Sequence, residues 1–170
     1  MQIENLIFIY GAICLSMIVF NTAYNLSLKR KNVRFDRRSK KWEQRILQQL
    51  TAVSETGKIT PKHYIRLTRR LRYVYQLIAF STALMRLSET DDPERKALVD
   101  AYFLQIQPAV SYLAVVYLKK ETMQAAYYAH FLRVQFADQS RTPILSLTNV
   151  LLEYVKKPNL YCRINALKAR

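Results

Sequence analysis

Cys162, Arg163 and His130 are the residues nearest in type to a nucleophile and its activators, and Glu89, Asp91, Asp92 and Glu94 are the nearest to a cation site. Neither group amounts to a site. A reactive thiolate needs a base or cation held beside it, whereas the cysteine sits in an apolar helical pattern and reads as core packing. His63 and His130 lie far apart, each without a Cys, His or carboxylate at ligand spacing, so no zinc site is expected. Asp92 stands directly before Pro93-Glu94, the pattern of a helix cap followed by an acid in the first turn. That accounts for the acidic run as capping and solvated charge. The chain has no G-x-S-x-G, P-loop or dinucleotide fingerprint, and its two glycines leave little backbone able to approach a phosphate closely. These residues propose no reaction. The expectation is a protein that is not an enzyme and needs no metal or other cofactor.

What the residues do offer is positive charge. Lys and Arg number 27 against 12 Asp and Glu, a formal net charge of +15. Two clusters carry much of it. Lys29, Arg30, Lys31, Arg34, Arg37, Arg38, Lys40 and Lys41 oppose the single acid Asp36. Further on, Lys62, Arg66, Arg69 and Arg70 recur at helical spacing, with no acid between Lys58 and Tyr75. Such charge suits an anionic partner, and anionic phospholipid head groups come before nucleic acid. Tyr73 beside the second cluster is the kind of residue on which a base stacks, but no nucleic-acid motif accompanies it.

The elements that must carry these clusters are helical. Two glycines and five prolines are too few for the turns of an all-β fold, and helix-favouring residues dominate after residue 40. Residues 5–28 carry no charge, and Leu6–Phe20 is almost wholly apolar. At about 1.5 Å per residue, a helix of this length crosses a hydrocarbon layer of about 30 Å. We therefore expect a transmembrane anchor over 1–28, a basic juxtamembrane linker over 29–41 and a cytoplasmic helical domain over 42–170. Basic flanks stay on the cytoplasmic side, which places the N-terminus outside a cell membrane that the chain crosses once. Cys14 in the apolar run and Cys162 far from it imply no disulfide framework.

Within 42–170, Trp42, Ile46, Leu50 and Val53 form one helical stripe that ends at Gly57 as a cap. Thr60-Pro61 starts a second helix that is expected to run to about Leu87, with Tyr64, Leu67, Leu71, Val74 and Ile78 inward and the basic cluster outward. Asp92-Pro93-Glu94 starts a third, which Pro108 is expected to kink or break before it resumes over 109–119. Thr122–Phe136 follows, then a helix begun by Thr142-Pro143, a turn at Lys157-Pro158-Asn159, and a last helix from Leu160. The twelve tyrosines read as amphipathic residues at the rims between helices.

The last segment resembles a HEAT repeat over 143–169. Leu147, Leu151, Leu152 and Val155 lie along a first helix, and after the polar turn come Cys162-Arg163 and Ala166-Leu167. A fainter copy runs through Leu113, Val116 and Leu118, then Ala125, Ala126, Ala129 and Leu132, with a 40-residue offset from Ala126 to Ala166. This resemblance implies an all-α α-solenoid of stacked antiparallel helices, with Arg163 holding polar groups between neighbouring repeats. Since repeat arrays end on a polar cap, the helix that reaches Arg170 is either that cap or part of a longer array. The layout also resembles bacterial single-anchor helical-repeat proteins, some of which accompany polysaccharide-synthesising glycosyltransferases. It implies a membrane-anchored scaffold that binds protein partners in an envelope complex. The alternative is a protein whose basic helix face holds anionic phospholipid or, less favoured, nucleic acid.

Overall fold

The computed structural model describes residues 3–89, 92–136 and 147–169, which divide into two compact units, Met1–Arg37 and Arg38–Arg170. Every element described is an α-helix: α1 (Ile3–Thr56), α2 (Pro61–Arg70), α3 (Val74–Ser88), α4 (Pro93–Leu118), α5 (Thr122–Phe136), α6 (Thr148–Val155) and α7 (Leu160–Lys168). The expected helix start at Thr142-Pro143 lies outside the described residues.

The first unit is the N-terminal part of α1, an apolar stretch followed by basic residues from Lys29 to Arg37. Between Gly11 and Gly57 there is neither Gly nor Pro, so nothing in the sequence interrupts i to i−4 hydrogen bonding. The basic stretch 29–41 is accordingly helical throughout and does not form a separate link between helices. Helices α1 and α4 are both long and apolar enough to cross a membrane, by length and composition alone. They differ in burial. Of the apolar window of α4, 44% is buried inside the protein, as suits a core helix, and of that of α1 none is.

The second unit has the packed core. Its part of α1 buries Ser39, Trp42, Ile46, Leu50 and Val53, the expected stripe extended by one residue toward the N-terminus. Gly57, at φ 68°, ends the helix with its N–H on the Val53 carbonyl. Helix α2 starts at Pro61 as expected, but the Thr60 side chain does not cap it. The Thr60 N–H and hydroxyl both donate to Gln49 Oε1 of α1, at 2.9 Å each.

One long helix over 61–87 is not formed. The chain breaks at Leu71–Tyr73, where Tyr73 turns extended (φ −95°, ψ 124°) before α3 begins. Two groups from α4 and its C-terminal turn accept the consequences: Tyr117 Oη donates to the Leu71 carbonyl at 2.7 Å, and Lys120 Nζ donates to that of Arg72. Carbonyls released at a helix end need such partners. Arg69 and Arg70 occupy the last turn of α2, where cations favour the helix dipole.

Pro108 breaks nothing: α4 is continuous from Pro93 to Leu118 around it. Asp92 caps this helix as expected, accepting from the Glu94 N–H at 3.1 Å. Pro108 itself is exposed, whereas Ile106, Ala109, Val110 and Leu113 beside it are buried. The surrounding apolar contacts hold the helix together where propensity alone would end it.

The tyrosines correct the expectation of rim residues. Tyr102, Tyr117, Tyr128 and Tyr154 are fully buried. Tyr128 stacks on Tyr117 with ring centroids 4.7 Å apart and on Tyr154 at 6.4 Å. Their hydroxyls are used inward: Tyr128 donates to the Val110 carbonyl at 2.6 Å and Tyr154 to that of Ala114 at 2.7 Å. Each ring adds apolar area, and the Tyr128 and Tyr154 hydroxyls tie one helix to the backbone of another. Burial raises the hydroxyl pKa of all four.

Contacts between helices alternate. Helix α2 packs on α4 and α4 on α6, while α3 packs on α5 and α5 on α7. The successive pairs α3 with α4, α4 with α5, α5 with α6 and α6 with α7 are also in contact. Ala125, Ala126 and Ala129 are buried on α5 and Ala166 on α7, and these small side chains let the two helices approach closely.

Candidate functional site

The cationic face of α2 is the densest candidate. Its ten residues put His63 and Leu67 into the core and leave Lys62, Arg69 and Arg70 exposed, with Arg66 half-buried. These four cations, together with Ile65 and Tyr73, line one surface groove of about 450 Å³. Ile65 (64% exposed) and Tyr73 (58% exposed) place apolar surface beside the charges. Among the described residues none of the four cations has an acidic partner.

Arg45 of α1 joins this group, and sequence spacing did not reveal it. Its guanidinium lies over the Trp42 ring, 5.4 Å from the centroid. Partial burial holds its pKa below the ordinary value, and the charges of Arg66 and Arg70 lower it further. Beneath the cations lies a second group that the sequence did not expose. His63 is buried, with Nε2 2.8 Å from the Tyr102 hydroxyl. Burial first, then the neighbouring charges of Arg66 and Arg45, lower its pKa to about 4. The imidazole is therefore neutral at physiological pH.

That shift links stability to pH. Between about pH 4 and 6.5 the unfolded chain binds a proton at this imidazole and the folded chain does not. The contribution is fully present above 6.5 and is lost as the pH falls toward 4. From pH 7 to 4.5 the wild type should lose about 2–3 kcal/mol more stability than His63→Gln, which cannot titrate. Urea unfolding of both proteins in detergent at the two pH values measures this, and parallel losses would refute it.

The other sequence-derived residues are spread out. Lys29, Arg30, Lys31, Arg34 and Arg37 are exposed on the first unit's part of α1, and Arg38, Lys40 and Lys41 are exposed on the second unit's part. Arg38 stacks over Tyr75 at 4.7 Å from its centroid. In the HEAT-like segment, Leu151, Cys162 and Ala166 are buried and Val155 is half-buried, while Leu152, Arg163 and Leu167 point outward. The turn before α7 is held by Asn159, whose side chain accepts from the Cys162 N–H at 3.0 Å. The Cys162 thiol lies 3.7 Å from the Tyr154 carbonyl, and burial raises its pKa, an environment for packing and not for nucleophilic attack.

A second groove flanks the break between α2 and α3. Arg72, Tyr73, Tyr75, Lys120, Met123 and Tyr127 are among its lining residues. Tyr73 and Tyr75 stack with centroids 5.7 Å apart, and Arg72 donates to the Tyr112 hydroxyl. Among the described residues no group of three His, Cys, Asp or Glu is placed to hold a metal ion. No family model matches the chain, and no curated protein and no solved structure matches it either, so the likeness of 143–169 to a HEAT repeat stands on its residues alone.

Proposed function

We propose that this chain is a single-pass membrane protein whose helical domain serves as a cytoplasmic scaffold for a protein partner. The observation that carries the anchor is the bare apolar stretch of α1, none of whose 18-residue apolar window is buried. A water-facing helix of that composition has no stabilising partner, whereas a bilayer supplies one. Lys29, Arg30, Lys31 and Arg34 after it favour a cytoplasmic helical domain.

The packing of successive helices from α3 to α7, together with that of α2 on α4, α4 on α6, α3 on α5 and α5 on α7, supports stacked helical pairs in the manner of a short α-solenoid. Such stacks offer extended surfaces to partners. The groove of Tyr73, Tyr75, Met123 and Tyr127 with Arg72 has the aromatic, Met and Arg character of interface centres. An envelope complex is the setting that the sequence resemblance implies.

The test is co-purification from detergent-solubilised native membranes. Tyr73→Ala with Tyr127→Ala should reduce partner recovery at least roughly tenfold, since truncated interface anchors often cost about 2 kcal/mol or more each. Replacing Lys62, Arg66, Arg69 and Arg70 by Gln should leave recovery at moderate salt nearly unchanged. Recovery that survives the tyrosine changes and fails with the charge changes would remove the scaffold reading.

A further inference from the structure

The basic groove on α2 goes beyond the scaffold reading and does not depend on it. Four cations from one helix converge on a concavity, with a fifth, Arg45, close by on α1. Like charges held this close repel one another, and removing an acid-free cluster of this kind would cost the fold nothing in ion pairs. Among the described residues no carboxylate neutralises it, although the second unit carries exposed acids elsewhere, such as Glu94, Glu121 and Glu153. Glu153, for example, pairs with Lys156, on α6 and the turn that follows it, away from this groove.

We infer that this groove is a phosphate-binding site, in which Lys62, Arg66, Arg69 and Arg70 hold the phosphate of a small molecule or lipid headgroup and Ile65 and Tyr73 contact the group that bears it. Three of the four cations are arginines, whose planar forks match phosphate oxygens two at a time. Arg66, Arg69 and Arg70 stand one helical turn or one residue apart, so their guanidinium groups reach one anion from neighbouring directions. The groove's volume is that of an ordinary small-ligand site. Exposed Tyr73 and Ile65 at its edge give the non-phosphate portion an apolar face. A bound anion would also relieve the mutual repulsion that, after burial, lowers the Arg45 pKa. The groove is short, on a helix of ten residues, and has one aromatic ring, which suits a headgroup or small phosphate better than a nucleic-acid strand.

The test uses the full chain in a neutral detergent at 0.15 M salt, titrated calorimetrically with three soluble probes. These are pyrophosphate, glycerophosphoglycerol (the deacylated headgroup of an anionic lipid) and glycerophosphocholine. Two of the three exposed cations are altered in Arg69→Gln with Arg70→Gln, and a control of equal charge carries Lys31→Gln with Arg34→Gln on α1. Binding of pyrophosphate or glycerophosphoglycerol, weakened roughly tenfold or more by the groove variant and less than about twofold by the control, supports the site. A preference for pyrophosphate assigns a free phosphate compound, and a preference for glycerophosphoglycerol over both other probes assigns a lipid headgroup. Unaltered helicity of the groove variant excludes unfolding as the cause of its loss. Absence of binding, or equal losses in the two variants, would overturn the inference.

Discussion

Replacing Trp42 by alanine is expected to unfold the second unit or bring it to the edge of unfolding. Trp42 is the only tryptophan in the chain and is 1% exposed. Its ring meets Phe80 edge-on with centroids 5.3 Å apart, and its indole N–H donates to Gln76 Oε1 at 2.9 Å. It thus joins α1 to α3 by both apolar contact and a hydrogen bond. Truncating a buried tryptophan costs about 3–5 kcal/mol, and a part-buried amide left without its donor adds about 1–3 kcal/mol. A domain of this size has a total stability of about 5–15 kcal/mol. Helical signal at 222 nm against urea, with the full chain in detergent, should show a midpoint near zero denaturant for Trp42→Ala. Trp42→Phe should recover most of the loss, because a phenyl ring keeps much of the apolar contact while forfeiting the hydrogen bond and part of the indole's volume. An alanine variant within about 1 kcal/mol of wild type would mean that α1 is not packed on α3 as described.

The inward stripe of α1 was legible because a 3.6-residue period needs no partner to be seen, and Trp42, Ile46, Leu50 and Val53 all proved buried. Pro61, Asp92 and Gly57 marked helix ends through local geometry alone, and each stands at one. The break at Leu71–Tyr73 was not legible. It rests on Tyr117 and Lys120, side chains more than forty residues away that take the freed carbonyls. Continuity through Pro108 was illegible for the mirror reason, since tertiary packing outweighed a local penalty. The basic face of α2 could be read from spacing, but Arg45 could not be added to it, because no local pattern tells which helix will lie beside α2. His63 was hidden as well: a histidine one residue from Lys62 looks polar until burial places it against Tyr102.

The membrane reading predicts its own largest effect in the first unit. Ile13 and Met17 lie four residues apart on one side of α1, near the middle of the uncharged run, and are 51% and 67% exposed. Among the described residues nothing buries them, so arginine at both positions has no packing to disturb there. In a bilayer each arginine near the helix centre costs about 2.5–3.5 kcal/mol for insertion, and each lost apolar side chain adds a few tenths. The pair therefore opposes insertion by about 5–7 kcal/mol, a shift of roughly 10⁴ in the partition between membrane and water. In a density-gradient flotation of cell lysate, wild type should rise with the lipid and Ile13→Arg/Met17→Arg should remain at the bottom. Ile65→Arg with Leu167→Arg, on exposed apolar positions of the second unit, should still float. Flotation of the first double variant to the same height as wild type would show that α1 is not what holds the chain in the membrane. Sedimentation of wild type would show that the bare apolar stretch faces something other than lipid, and a protein surface covering Ile13 and Met17 would then be the simplest account of it.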